Sequence, residues 1–452
     1  MFSKKRRSIT QLNLNTVNEF RHEVYSCFHR AADALFNTVD ALATEMTANR
    51  FAHLALSPFF ERAWPSLYEA FEDGCIDRES LQRVLIAHLP PPPQGEWLLL
   101  GLDASNIARP ESHTSADRLH LYVPNLPESR TPPVTVGWQF STLMVLPDPC
   151  SSWGYILDNQ RIDTEHTAGQ VGAAQLRECL AQLPPGLRAL LTGDRYYANA
   201  PFLRATTDLA CAKLLRTKSR RVFYRPAPPR TGKPGAPCKD GERFACHDSS
   251  THGAPCGHWE GLDAHGQRIE VDSWEHLHLR QAREIELTVI RVTRHGATNK
   301  KRDPRVSWFV WVDAEPAPLA EIWPLYTRRY GMEHSYRFEK QALLWDQPRL
   351  RTPEQFERWT QIVAIVHDLL VLARPLLPAK RLPWEPSTRP VTPQQVRRAM
   401  APFLATLGTP AKPPQPRGKS PGRAVGAQIN PAVRHPVVKK PKPRPKKRRK
   451  SA

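Results

Sequence analysis

The sequence predicts an α/β protein: a mixed sheet with flanking helices, interrupted by a β-rich insertion, with a helical unit before it and a disordered basic tail after it. Two short apolar runs of strand length, 96–102 and 187–193, each lead into an aspartate, Asp103 and Asp194. Strand-like and helix-like patterns alternate around these runs, which is typical of a sheet covered by helices. We therefore expect both acids to lie at strand ends, where open sheets of this class place their ligands.

Residues 1–95 are predicted to form a helical N-terminal unit. Apolar residues recur three and four positions apart from about residue 16 to residue 89, and a run of prolines at 90–93 ends the pattern.

Residues 96–216 are predicted to form the first part of the core. Beyond the two apolar runs, this segment contains two strand candidates and one helix candidate, at 119–123, 134–146 and 168–183. A Pro-Pro-Gly turn ends the helix candidate.

The remaining chain divides into three segments. Residues 217–313 carry Pro and Gly punctuation between short strand-like runs, which predicts a β-rich insertion. Residues 314–382 return to helical patterns, at about 323–343 and 353–372, and are expected to complete the core. Residues 383–452 are rich in Pro, Lys and Arg, so we expect a disordered tail.

The charge of the chain indicates a polyanionic partner. Lys and Arg number 64 against 44 Asp and Glu, a net charge of +20. Residues 411–452 hold 14 of the basic residues and no acid, so the tail accounts for most of the excess. Such a tail is expected to bind phosphate backbones without sequence preference.

Cysteine usage and hydropathy favour a soluble protein of a reducing cytoplasm. The eight cysteines are spread without the spacing of a disulfide framework. The basic N-terminus is not followed by the apolar region of an export signal, and the most apolar stretch, 362–377, is interrupted by charged residues and a proline. We therefore expect no membrane association.

A stripe of polar side chains marks the predicted helix near residue 330. Tyr326, Arg329, Glu333 and Lys340 are spaced so that all four share one face of a helix. The pattern Tyr-x2-Arg-x3-Glu-x6-Lys resembles the signature helix of a large branch of bacterial insertion-sequence transposases. The segments Asp103-Ala-Ser and Asp194-Arg-Tyr-Tyr are similar to the first and second acidic motifs of the same family.

The resemblance implies a ribonuclease-H-like fold with Asp103, Asp194 and Glu333 as a catalytic, metal-holding triad. It also implies DNA as substrate, namely the inverted repeats at the element ends and the target DNA. A homodimer on DNA and a bacterial cytoplasm, near the nucleoid, are further implications. We expect the helical residues 1–95 to help bind the element ends.

Phosphodiester cleavage requires residues of these types. Attack on a phosphodiester needs an activated nucleophile and a stabilised leaving oxygen, which two divalent metal ions about 4 Å apart can supply. Mg²⁺, for which Mn²⁺ can substitute, prefers oxygen ligands, and Asp103 is the best candidate to bridge both ions. Arg329 and Lys340 are expected to hold phosphates, and Tyr326 to stack on a base or cap a phosphate.

Other interpretations remain open at this point. Acids at strand ends often cap helices or turns, and a Tyr/Arg/Glu/Lys stripe is often a solvated helix face. A metal-dependent nuclease of the same fold would carry the same triad, and a decayed copy would bind DNA without cutting it. The Cys and His residues between 238 and 258 lack the spacing of a zinc knuckle, so we interpret them as loop residues. Trp259 and Trp274 could stack on a base, but we favour a place in the core for each.

Overall fold

The computed structural model describes residues 2–93, 95–122, 134–146, 153–229, 236–299, 304–416, 422, 424–428 and 431–439. No helix among these residues has the length and apolarity needed to cross a membrane.

The strands of the described residues build one large sheet and a small two-stranded one. Their bounds, in chain order, are β1 (Phe28–Arg30), β2 (Cys75–Ile76), β3 (Leu98–Ala108), β4 (Leu119–Tyr122), β5 (Val134–Val145), β6 (Tyr155–Ile162), β7 (Ala189–Gly193), β8 (Ala212–Thr217), β9 (Val222–Tyr224), β10 (Arg243–Ala245), β11 (Gly257–Leu262), β12 (Arg268–Leu279), β13 (Ala282–Arg294) and β14 (Val306–Val312).

The helices of the described residues flank that sheet. Their bounds are α1 (Phe2–Ser26), α2 (Ala32–Thr44), α3 (Trp64–Asp73), α4 (Arg78–Ala87), α5 (Ala168–Leu180), α6 (Ala200–Ala205), α7 (Ile322–Thr327), α8 (Tyr330–Gln341), α9 (Pro353–Ala373), α10 (Pro393–Arg397) and α11 (Met400–Leu407). Short 3₁₀ turns lie at Phe51–Leu56 and Ser249–Thr251.

The large sheet is mixed, as predicted. It has 12 strands in the described part of the chain, in the order β10-β9-β12-β13-β14-β8-β7-β3-β5-β4, with β11 beside β12 and β6 beside β5. β7 pairs in parallel with both β3 and β8, and the other pairs are antiparallel. The predicted fold class, a mixed sheet with flanking helices, is thus confirmed.

The pairing of β3 with β7 fixes the two acids beside each other. The parallel register runs from Leu98 opposite Ala189 to Leu102 opposite Gly193, so the next position on each chain is Asp103 and Asp194. Asp194 follows the end of β7, as expected. The prediction that Asp103 ends its strand is wrong, because β3 continues to Ala108 against β5.

The strands of the predicted insertion extend the main sheet. β14 pairs with β8 over Trp308–Val312, and β13, β12 and β9 follow outward. The two antiparallel strands β12 and β13 are long, and their apolar residues are buried, including Trp274 at 2% exposure. The interpretation of Trp274 as a core residue is confirmed.

Helix α9 lies at the centre of the helical layer. Its apolar residues are almost entirely buried, and it packs against α1, α2, α3 and β6. A Thr352–Gln355 capping box begins it, and Pro353 occupies its first turn. The N-terminal helices therefore share one hydrophobic core with the part of the chain that carries the signature residues.

The expectation of a disordered tail from residue 383 is wrong for its first part. α10 and α11 lie there, with Val396, Met400 and Leu404 buried at four-residue spacing. Arg21, in a buried ion pair with Asp40, also donates to the carbonyl oxygen of Gly408 at 2.7 Å. The basic run from residue 440 onward lies outside the described residues.

Arg397 fastens α10 to two other parts of the chain. Arg397 is 2% exposed, and its guanidinium donates to the carbonyl oxygens of Leu42, Glu45 and Ala342 at 2.7–3.1 Å. We predict that Arg397→Ala lowers the free energy of unfolding by about 3 kcal/mol, because it leaves buried carbonyl groups without donors.

Urea denaturation followed by circular dichroism measures this loss. The exposed Arg389→Ala is the control and should change the free energy by less than about 0.5 kcal/mol. Equal stability of Arg397→Ala and wild type would contradict the role given to α10.

Candidate active site

The two aspartates lie at the floor of a cleft on the sheet. Asp103 is 24% exposed, and its Oδ1 accepts a hydrogen bond from the amide of Ala104 at 2.8 Å. Asp194 is half-buried, and its Oδ1 accepts from the amide of Tyr196 at 2.8 Å. Each carboxylate thus keeps its other oxygen, Oδ2, for a different partner.

The helix that carries the third acid is broken. The sequence predicts one helix from 323 to 343, and this is wrong: α7 ends at Thr327 and α8 begins at Tyr330. At the junction the amides of Arg329, Gly331 and Met332 bond to carbonyl groups three residues earlier, which is the tighter 3₁₀ pattern. Arg329 occupies the N-cap position of α8, and Glu333 lies in its first turn.

Arg329 joins two of the three acids. One guanidinium nitrogen lies 3.2 Å from Asp103 Oδ2, and the other lies 3.3 Å from Glu333 Oε1. The arginine side chain is 13% exposed, whereas Glu333 is 52% exposed. Two of the three predicted acids, Asp103 and Glu333, therefore share one positive charge.

The electrostatics of the site follow from this crowding. Burial raises the pKa of Asp103 to about 6; the charge of Arg329 opposes the rise, and the charges of Asp194 and Glu333 add to it. Burial also raises the pKa of Asp194, against the opposing effects of the Tyr196 amide and of Arg329. These shifts mark a place where negative charge is held at a cost.

Tyr326 and Lys340 are placed differently from the expectation. Tyr326 is 5% exposed, and its ring packs on Phe309 of β14 with ring centres 4.6 Å apart. Lys340 Nζ donates to the carbonyl oxygen of Asn106 at 3.0 Å and lies 5.5 Å from the centre of the Trp345 ring. In this arrangement Tyr326 is a core residue and cannot stack on a base, and Lys340 binds β3.

Two further contacts hold α8 in place, and the sequence reasoning missed both. The hydroxyl of Tyr336 donates to the carbonyl oxygen of Asp103 at 3.1 Å. Glu339 of α8 and His367 of α9 are each 1% exposed, and Oε1 of the glutamate lies 3.1 Å from Nδ1 of the histidine. Tyr336 shares the helical face of Glu333 and Lys340, so helical spacing was the signal that could have found it.

The donor set fits a hard divalent cation. Asp103 on β3, Asp194 after the end of β7 and Glu333 on α8 offer carboxylate oxygens, which are the hard donors that Mg²⁺ prefers. As they stand, no three His, Cys, Asp or Glu side chains of the described residues are grouped closely enough to hold a metal. Arg329 contributes to that spacing, since its guanidinium separates Asp103 from Glu333.

The Cys and His residues of 238–258 do not converge on a site. Cys238 and Cys256 are exposed, whereas Cys246 and His252 are buried. The His252 ring stacks on Phe244 with centres 4.6 Å apart and contacts Trp274, so it belongs to the core of the sheet extension.

Comparison with known proteins gives one family. The family model described as DDE superfamily endonuclease matches residues 23–281, which is more than half of the chain. The match begins within α1, includes Asp103 and Asp194, and ends before Glu333. No curated protein matches the chain significantly.

The pKa of Asp103 predicts how stability depends on pH when metal is removed by EDTA. Its pKa in the folded state, about 6, lies above the ordinary 3.8, so the protonated carboxyl stabilises the fold below pH 3.8 and this contribution is lost as the pH rises through 6. We predict that Asp103→Asn is more stable than wild type at pH 7, by about 1–3 kcal/mol, and that the difference disappears near pH 4.

Urea denaturation at pH 4, 5.5 and 7 measures this dependence. The exposed Asp73→Asn, on α3, is the control and should show the same small change at each pH. An Asp103→Asn protein that is less stable than wild type at pH 7 would contradict the electrostatic description of the site.

Proposed function

We propose that this chain, which belongs to the DDE superfamily of endonucleases, is a DNA transposase that cuts and rejoins DNA at the ends of an insertion sequence. The family makes it an enzyme of nuclease type with DNA as substrate. The observation that carries the proposal is the convergence of Asp103 and Glu333 on Arg329, with Asp194 beside Asp103 in the sheet. The resemblance of the Tyr326–Lys340 spacing to insertion-sequence transposases supports the finer assignment.

The three acids would hold divalent metal ions, Mg²⁺ or in its place Mn²⁺. Such ions, when bound, activate the attacking oxygen and stabilise the leaving oxygen of a phosphodiester. Asp103 would hold metal together with each of the other two acids, Asp194 and Glu333. This assignment rests on the chemistry of the donor set.

Arg329 would exchange partners during the reaction. Its guanidinium pairs with Asp103 and Glu333 in the structure, and cations that took over those carboxylates would release it. The released guanidinium lies beside the acids and has the planar fork that suits two phosphate oxygens. The proposed DNA contact of Arg329 would then form when its ion pairs break.

Cutting and joining would use the same acids in two steps. Water attacks the phosphodiester, and the bond to the 3′ oxygen breaks to leave a 3′ hydroxyl. That hydroxyl then attacks a target phosphodiester and displaces its 3′ oxygen. Because two element ends are joined to one target, we propose a homodimer on DNA.

The N-terminal helices and the basic tail are proposed to bind DNA outside the active site. α1, α2 and α3 pack on α9, so a deletion of residues 1–95 would uncover the core as well as remove a binding surface. Substitution of exposed basic residues such as Arg30 and Arg83 therefore tests end binding more cleanly than deletion.

A nuclease that cuts without joining is the second candidate, favoured by the description of the matching family as endonucleases. It would use the same acids and the same metal ions. Only the products distinguish the two functions, because a transposase links the cut 3′ end covalently to another DNA.

We predict that the protein cuts a DNA fragment with the inverted repeats that flank its gene in Mg²⁺ but not in EDTA, and that Glu333→Gln lowers the rate at least about 1000-fold. Loss of one carboxylate ligand weakens the stabilisation of charge in the transition state, which is worth several kcal/mol. Labelled DNA on denaturing gels gives both cleavage and joined products.

The exposed Glu321→Gln, at the N-cap of α7, is the matched control and should cut like wild type. Cleavage by Glu333→Gln at the wild-type rate would remove Glu333 from the triad. Cleavage without any joined product would favour the nuclease.

A further inference from the structure

The tail returns to the large sheet at residues 431–438, a segment that we call the anchor. The amide of Val438 donates to the carbonyl oxygen of Arg118 at 2.8 Å. Val438 also forms a parallel bridge with Leu119, the first residue of β4. Because β4 is the last strand in the order of the sheet, the anchor pairs with the open edge of the sheet that carries the acids.

A second group of hydrogen bonds holds the anchor at His435. Its amide donates to the carbonyl oxygen of His113 at 2.9 Å, and its own carbonyl oxygen accepts from the guanidinium of Arg118 at 3.0 Å. Arg118 is 2% exposed, and the same guanidinium donates to the carbonyl oxygens of Ser115 at 3.1 Å and Arg109 at 3.4 Å. Burial of a guanidinium is unfavourable unless hydrogen bonds replace its lost water, so the anchor completes the environment of Arg118.

The anchor directs the tail toward the acids. A parallel bridge means that the tail runs there in the same direction as β4, from Leu119 to Tyr122. The distance along the strand between these two residues is about 10 Å. Tyr122 lines the cleft that contains Asp103 and Asp194. At Lys439, the last described residue of the tail, the chain is therefore heading toward this cleft.

The residues that follow the anchor are almost all basic. Nine of the twelve residues 439–450 are Lys or Arg and the other three are Pro, and we call this segment the basic run. DNA carries one phosphate charge for about every 1.7 Å of duplex, so a run of this kind binds the backbone of any sequence. Two aspartates at the cleft cannot neutralise nine cations, which makes DNA a better partner for the run than the acids themselves.

We propose that the anchor holds the basic run beside the active-site cleft, where the run binds the phosphate backbone of the DNA that enters the site. A tethered polycation is present at a high effective concentration, so it raises affinity without any contact that reads sequence. The inference rests on the proposed function, because it gives a position to the DNA substrate. It goes beyond that function by making the anchor a fixed part of the catalytic core.

Limited proteolysis of the protein without DNA tests the anchor. Val438→Pro removes the amide that bonds to Arg118 and keeps every charge of the tail. Trypsin should cleave after Arg434 at least about tenfold faster in this variant than in wild type, measured by mass spectrometry of the fragments. Val433→Pro is the matched control, because Val433 is 71% exposed and its amide bonds to no other described residue. Equal cleavage rates in all three proteins would overturn the anchor.

Photocrosslinking tests where the basic run binds. Benzoylphenylalanine replaces Pro441, within the run, and the protein is bound in Ca²⁺ to the inverted-repeat duplex that wild type is expected to cut in Mg²⁺. Primer extension should map the crosslinks to within about ten base pairs, one helical turn, of the cut. The same label in the Val438→Pro protein should give crosslinks spread along the duplex. Crosslinks at the same positions in both proteins would overturn the proposal.

Binding titrations separate the charge of the run from its position. Replacement of its nine basic residues by Gln should weaken the Kd for the duplex about 100-fold at low salt and reduce the dependence of the Kd on salt. Val438→Pro should weaken the Kd about tenfold, and Val433→Pro should bind like wild type. A Val438→Pro protein that binds as tightly as wild type and cuts faster would mean that the tail blocks the site, which would overturn the proposal.

The same measurements distinguish the two levels of the account. If wild type does not cut the duplex, the proposed function fails and the position of the DNA falls with it. If wild type cuts the duplex and Val438→Pro matches it in proteolysis, crosslinking and binding, the inference alone fails.

Discussion

Three carboxylates can be gathered in a partly buried site only if positive charge accompanies them. The parallel register of β3 and β7 puts Asp103 and Asp194 in adjacent positions, and α8 brings Glu333 to the guanidinium that also pairs with Asp103. In the structure the guanidinium of Arg329 supplies the balancing charge to Asp103 and Glu333. Even so, burial keeps the pKa of Asp103 raised to about 6, and the charges of Asp194 and Glu333 add to the rise, so a divalent cation bound to these acids would stabilise the ionised carboxylate.

The rest of the fold serves to keep the third acid in register with the first two. Tyr336 and Lys340 of α8 donate hydrogen bonds to β3, and the buried side chain of Glu339 on α8 lies against His367 of α9. α9 in turn is surrounded by the N-terminal helices and by α10. Elements that lie far from the acids in sequence therefore support the position of Glu333.

Sequence patterns were sufficient for the central strands but not for their ends. The apolar runs before Asp103 and Asp194 correctly indicated two buried strands. The sequence does not predict that β3 continues beyond Asp103, because Ser105 and Asn106 are polar and interrupt the apolar run. The strand continues because these residues pair with β5. The sequence does not predict the break between α7 and α8, because the polar residues 326, 329 and 333 continue across it at helical spacing. The burial of Tyr326 depends on Phe309, a neighbour on β14.

The sequence predicts disorder from residue 383 because the apolar residues 396, 400 and 404 are few against the Pro and Lys content of the tail. In the structure these three residues are enough to bury one face of α10 and α11, because α10 packs on α9 and α11 packs on α2.

The most direct test of a three-carboxylate metal site is the crystal structure of the protein soaked in Mn²⁺, with anomalous scattering used to locate the metal. Anomalous density within ligand distance of Asp103 and at least one of Asp194 and Glu333, with Arg329 moved away from its two ion pairs, is the predicted result. Saturating Mn²⁺ that leaves Arg329 bound to Asp103 and Glu333, with density elsewhere or nowhere, would contradict the account.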